Sequence, residues 1–143
     1  MIVGLDTDVL VNAETLAHPG HVAARTTIHG IIHRGDLIGL APQVLPEFLH
    51  VATDPRRFDP SLDMMAAIAR ADAWWRAKET VRLMPDERCG QRLLEWMRDH
   101  RLGRKRLLDT MLAATYHGHG VSHICTGNAH DYALFKVFTI IPG

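Results

Sequence analysis

The chain has little of what would set it apart from an ordinary folded domain. Cysteine is scarce: Cys89 and Cys125 are the only two in 143 residues, far apart and without a metal-type spacing. A disulfide framework is therefore not expected, and free thiols in a reducing, cytoplasmic setting are. No apolar run approaches the roughly 20 residues that a membrane-spanning helix needs. No basic region precedes an apolar core at the N-terminus, so a secretory leader is not expected either. There is no net charge: 16 basic and 16 acidic residues balance. That total argues neither for nor against a nucleic-acid partner, and the 10 histidines would add charge only below about pH 6.5. Internal repeats and low-complexity segments are also missing.

What is present fits one domain over residues 1–143, long enough to bury about two-thirds of its unfolded surface. Ile2–Leu5 predicts a buried strand, followed by a turn and a short helix to about Ala17. A helix over His21–Arg34 ends at Gly35, and Leu37–Leu40 gives a second strand. Pro42 sits where a helix would start, and Val44–Ala52 has helical apolar spacing. Ser61 and Asp63 open a helix running through Trp75. Adjacent Trp74 and Trp75 cannot both face one core, so one is expected at a partner contact. Val81–Met84, Val121–Cys125 and Val137–Ile141 predict three more strands, with helices from Pro85 to about His100 and over Lys105–Tyr116. Short strands alternating with helices predict an α/β/α domain around a mostly parallel sheet of about five strands.

Most acids lie among polar neighbours, but a few do not. Asp6 ends the apolar first strand, Glu47 sits within Val44–Ala52, and Asp109 within the stretch LLDTMLAAT. A charge held among apolar residues is costly unless paired or bound to a cation. Thr126–Tyr132, read as a loop after the fourth strand, adds Asn128 and Asp131 as oxygen donors. Asp6 and that loop should share the C-terminal edge of the sheet, where open α/β folds bind ligands. Glu47 should start its helix near the same edge. Asp109 follows a helix, so topology alone does not place it. Clustered carboxylates are stable chiefly around a divalent cation, and oxygen donors select Mg²⁺ or Mn²⁺. Asp8 reads as a helix cap or a supporting residue. His117, His119, His123 and His130 do not form a known ligand set and are expected at the surface or as caps.

On these residues the chain resembles the PIN-domain ribonucleases, and among them the VapC-like toxins of type II toxin–antitoxin systems. LDTDVLVNA is similar to the first acidic motif, with Asp6 in the metal-binding place. PQVLPEFLHVATDPRRF resembles the second, with Glu47 as its acid, and LLDTMLAATYHGHGV the third, with Asp109. TGNAHDYALF resembles the fourth, of the form Thr-x-Asn-x-x-Asp-Phe. Asn128 stands where many members carry an aspartate, and Tyr132 replaces a common phenylalanine.

The resemblance implies an Mg²⁺- or Mn²⁺-dependent endoribonuclease that cleaves RNA phosphodiester bonds with metal-activated water. It implies catalytic roles for Asp6, Glu47, Asp109 and Asp131. Asp6, Asp109 and Asp131, or Asn128 in place of the last, would hold the metal. Thr7, Asp8 and Thr126 would orient ligands or water. Arg56, Arg57, Arg104, Lys105 and Arg106 are candidates for binding RNA phosphates. A VapB-like antitoxin and a second copy of the chain are the implied protein partners. A non-cutting PIN-like module that binds RNA or a partner is the alternative, motivated by Asn128. Asp6-Thr7-Asp8-Val9 also fits the opening of haloacid-dehalogenase-like phosphatases. Their late Gly-Asp-x-x-x-Asp motif, however, has no match in Gly127-Asn128-Ala129-His130-Asp131.

Overall fold

Ile2–Leu5 has no charged residue and forms β1, the strand at the middle of the sheet. In this computed structural model, which describes residues 1–143, the other strands are β2 (Leu37–Leu40), β3 (Thr80–Arg82), β4 (His123–Thr126) and β5 (Thr139–Pro142). The helices are α1 (Thr7–Glu14), α2 (His21–His33), α3 (Val44–Ala52), α4 (Met64–Arg76), α5 (Glu87–Asp99), α6 (Leu107–Gly118) and α7 (Ala129–Ala133). The strand order is β3-β2-β1-β4-β5, and every neighbouring pair is parallel. The expected α/β/α layering around about five strands is therefore what the chain forms, with an all-parallel sheet.

This order sets the functional edge. The chain builds outward from β1 through β2 to β3, then returns to the other side of β1 with β4 and β5. The reversal lies between β1 and β4, and a crevice opens beyond the C-terminal ends of strands at such a switch point. Leu5 pairs with Cys125, and the Asp6 amide then donates to the Cys125 carbonyl at 3.0 Å. Asp6 and Thr126 thus leave the sheet side by side.

The core is one apolar cluster that includes Val3, Leu5, Ile38, Leu40, Phe48, Leu112 and Ile124. Gly4 allows α6 to close onto the sheet: a Cβ there would stand 2.6 Å from the Tyr116 ring. The Tyr116 hydroxyl donates to the Leu5 carbonyl at 2.6 Å, locking α6 against the strand that carries Asp6.

Several sequence expectations are corrected. Thr126–Tyr132 is not a plain loop, because α7 occupies Ala129–Ala133. Burial drives this turn: Tyr132 is fully buried, and nearby Phe135 stacks on Trp96 with ring centroids 4.3 Å apart. A short 3₁₀ turn at Arg104–Arg106 precedes α6. Trp74 and Trp75 are both half-buried against the core. Trp74 Nε1 donates to Glu14 Oε1 at 2.6 Å, and the Arg82 guanidinium covers Trp75 at 5.6 Å. The two indoles point to different neighbours, so each finds its own cover.

Candidate active site

Asp6 is extended and caps α1, its Oδ1 accepting from the Thr7 amide at 2.8 Å. Its Oδ2 accepts from the Thr126 hydroxyl at 2.8 Å. Of the two roles expected for Asp8, cap or supporting residue, the structure gives it the second. It lies one position inside the helix because Asp6 already holds the first free amide. Asp8 Oδ2 instead accepts from the Gly127 amide at 3.0 Å and from Asn128 Nδ2 at 3.2 Å. Its Oδ1 is buried and has no partner. Asn128 therefore presents its amide nitrogen to Asp8 and ties the start of α7 to α1.

Glu47 stands in the first turn of α3. Its Oε2 accepts from the Thr7 hydroxyl at 2.8 Å, and its Oε1 accepts from Gln43 Nε2 at 2.9 Å. The same Gln43 nitrogen donates to the Leu108 carbonyl at 2.9 Å, joining α3 to the residue before Asp109. Asp109 itself occupies the first turn of α6. The packing of α5 and α6 as neighbours carries that turn back to the edge where Asp6 emerges.

A cavity of about 660 Å³ opens there, lined by Asp6, Asp8, Glu47, Asp109 and Asn128 among others. Asp6, Asp8 and Asp109 resist ionisation. Burial, then the Asp8 charge, raises Asp6 to about 7. Burial, then the Asp131 charge, raises Asp109 to about 6, with Arg106 opposing. Burial likewise raises Asp8. The Tyr132 hydroxyl lies buried near Asp6 without a well-formed hydrogen bond, and burial raises its pKa too.

Other expected site residues fall differently. Asp131 adjoins Asp109 but does not line the cavity. Its carboxylate stands 3.7 Å from Arg106, whose guanidinium also donates to the Asp131 carbonyl. Arg106 is only 19% exposed, so it faces Asp131 and not a free groove. Arg56 pairs with Asp54 at 3.2 Å, outside the cavity. Arg57, Arg104 and Lys105 do line it. Asn12, His18, His50 and Phe58 also line it and were not anticipated. Asn12 had a signal, since it lies one helical turn beyond Asp8 and shares its face. Phe58 and His18 sit in connections and had none.

The oxygen donors suit a hard divalent cation, and the raised pKa values and the orphaned Asp8 oxygen mark where its charge would be welcome. No group of three or more His, Cys, Asp or Glu side chains stands ready as a complete ligand set.

No protein-family model and no curated protein sequence matches the chain. Solved structures do. VapC20 of Mycobacterium tuberculosis, described as a toxin cleaving the sarcin–ricin loop, superposes with a TM-score of 0.73 at 14% identity, covering 94% of this chain and 95% of its own. A chain of VapBC2 from Rickettsia felis, solved with a DNA fragment from their promoter, gives 0.70 at 14% identity, over 100% and 99%. A chain of VapBC-1 from nontypeable Haemophilus influenzae gives 0.68 at 14% identity, over 99% and 98%. The chain has a PIN-like fold. In PIN-like terms the cavity sits at the sheet's switch point, and it gathers Asp6, Glu47 and Asp109 from three separate elements.

Proposed function

We propose that this PIN-like protein is a Mg²⁺- or Mn²⁺-dependent endoribonuclease, the toxin of a toxin–antitoxin pair. One observation carries the reading: Asp6, Glu47 and Asp109, far apart in sequence, line one cavity, where burial and then neighbouring carboxylates make Asp6 and Asp109 costly to ionise. Such an arrangement is unfavourable for stability alone and is explained by a cation that the acids share.

Asp6 and Asp109 would hold the cation, with Glu47 and Asp8 completing the acidic shell and Asp131 supporting Asp109 from behind. When bound, the cation lowers the pKa of water and offsets charge on the phosphate oxygens. The chain's own groups do the rest. Thr126 and the Thr7 amide fix the Asp6 carboxylate, leaving each of its oxygens a further lone pair. Thr7 and Gln43 fix Glu47. Arg57, Arg104 and Lys105 at the cavity supply positive charge for the RNA backbone. Water adds in line at phosphorus, the bond to the 3′ oxygen breaks, and that oxygen takes up a proton. The products are a 5′-phosphate and a 3′-hydroxyl.

No helix of the protein is long and apolar enough to cross a membrane. Action on RNA in the cytoplasm, restraint by a VapB-like antitoxin and assembly as a homodimer complete the proposal. The test incubates the full chain with single-stranded RNA in Mn²⁺ or in EDTA. Cleavage confined to Mn²⁺, leaving 5′-phosphates and lost in Asp6→Asn, supports the reading. RNA that is bound but uncut with either cation favours a non-cutting module instead.

A further inference from the structure

The cavity is larger than a cation needs. A cation with six waters occupies about 200 Å³, taking roughly 30 Å³ per water, against about 660 Å³. Part of its wall is apolar. Val51, Phe58 and Leu108 line it, and Leu108 is 61% exposed beside Asp109. Apolar wall is of no use to a hydrated cation or a phosphate. It suits a flat, apolar-faced group with polar edges.

The polar groups on this side are also free to read such an edge. Phe58 meets His18 edge to face, with centroids 6.0 Å apart and planes at 67°. His18 Nδ1 accepts from the Gly20 amide at 2.9 Å, so the neutral ring carries its proton on Nε2, a donor with no partner. The Asn12 side-chain amide lines the same cavity and makes no hydrogen bond within the protein. An unpaired amide offers both a donor and an acceptor, the combination a base edge requires.

We propose that this half of the cavity is a nucleobase subsite, in which Phe58 packs against one unpaired base of the RNA and Asn12 and His18 contact its edge. The inference rests on the nuclease reading above and gives it a substrate class. The RNA must be single-stranded or present a flipped-out base at the cut, because a base within a duplex cannot enter the cavity. Arg57 and Lys105, which line the same cavity, would take the phosphates on either side of that base.

The test uses the full chain and a single-stranded RNA whose Mn²⁺-dependent cut has been mapped. An abasic ribose replaces each nucleotide flanking the cut in turn. The subsite predicts one position at which base removal lowers kcat/KM roughly tenfold, the scale of one base–aromatic stack, while its neighbours tolerate it. Phe58→Ala lowers cleavage of the intact RNA by the same factor and erases the abasic penalty, and Phe58→Trp retains both. Asn12→Ala alters base preference at that position. Abasic ribose tolerated at every position overturns the subsite and leaves the nuclease standing, and this arm needs no variant to fold. Wild-type penalties that persist in a folded Phe58→Ala also overturn it. Failure of wild type to cut any RNA overturns the nuclease reading and the subsite with it.

Discussion

The Thr7 hydroxyl donates to Glu47 Oε2 at 2.8 Å across 40 residues of sequence, coupling the first turn of α1 to the first turn of α3. Thr7 follows Asp6 directly, so one short segment sets the angle of both carboxylates. Thr7→Val keeps the shape of this buried side chain and removes the donor. Cleavage should fall by about 10–100-fold with thermal stability nearly unchanged. Steady-state kinetics beside a melting curve check it, and full activity would show that Gln43 alone orients Glu47.

The acids make the cation-free protein sensitive to pH. Asp6 and Asp109 titrate near 3.8 when unperturbed but near 7 and 6 in the fold. Between these values the folded state binds more protons than the unfolded chain. Their contribution is fully present below about pH 4, is lost progressively as pH rises from there through 6 and 7, and is flat above. In EDTA the protein should therefore be less stable at pH 8 than at pH 5, by roughly 2–4 kcal/mol. Urea unfolding at the two pH values measures this. Equal stability would mean that the acids do not repel as described.

Asp109→Asn removes one of the mutually repelling charges. In EDTA at pH 8 it should raise stability by roughly 1 kcal/mol. It should also abolish both the thermal shift given by Mn²⁺ to the wild type and the cleavage of RNA. Stabilisation paired with lost activity separates a cation site from a structural acid. A destabilised Asp109→Asn would mark Asp109 as the structural partner of Arg106.

Tyr132 is wholly buried, and its hydroxyl lacks a well-formed partner. An unsatisfied buried hydroxyl costs more than the ring of the same shape without it. Tyr132→Phe should raise the unfolding free energy by about 1 kcal/mol, read by denaturant titration in EDTA. A loss of stability would instead reveal a hydrogen bond from this hydroxyl to Asp6.

The chemistry-bearing acids were legible because each one interrupts an apolar pattern. Asp6 follows the uncharged run Ile2–Leu5, and Glu47 and Asp109 break helices that otherwise read as core. Fold class was legible because Gly and Pro punctuate the chain between strand-length and helix-length runs. Strand ends were less so: β4 and β5 begin at His123 and Thr139, where their pairing starts, and not at the first apolar residue. The α7 turn was hidden because its reason is Tyr132 entering the core, which no local period announces.

By itself, then, the sequence determined the five strands, six of the seven helices and which acids could not rest among their neighbours. Both follow from local periodicity and from the cost of burying an unpaired charge. Only the tertiary structure decided that Asp6 caps α1 while Asp8 grips Gly127, and that Arg106 turns inward to Asp131. It also decided that Phe58 and His18, from two separate connections, meet at the wall of the acidic cavity. Those pairings depend on strand order and on how α5 and α6 pack. Contacts between distant segments are fixed by closing the whole chain around one core, and no window of sequence contains them.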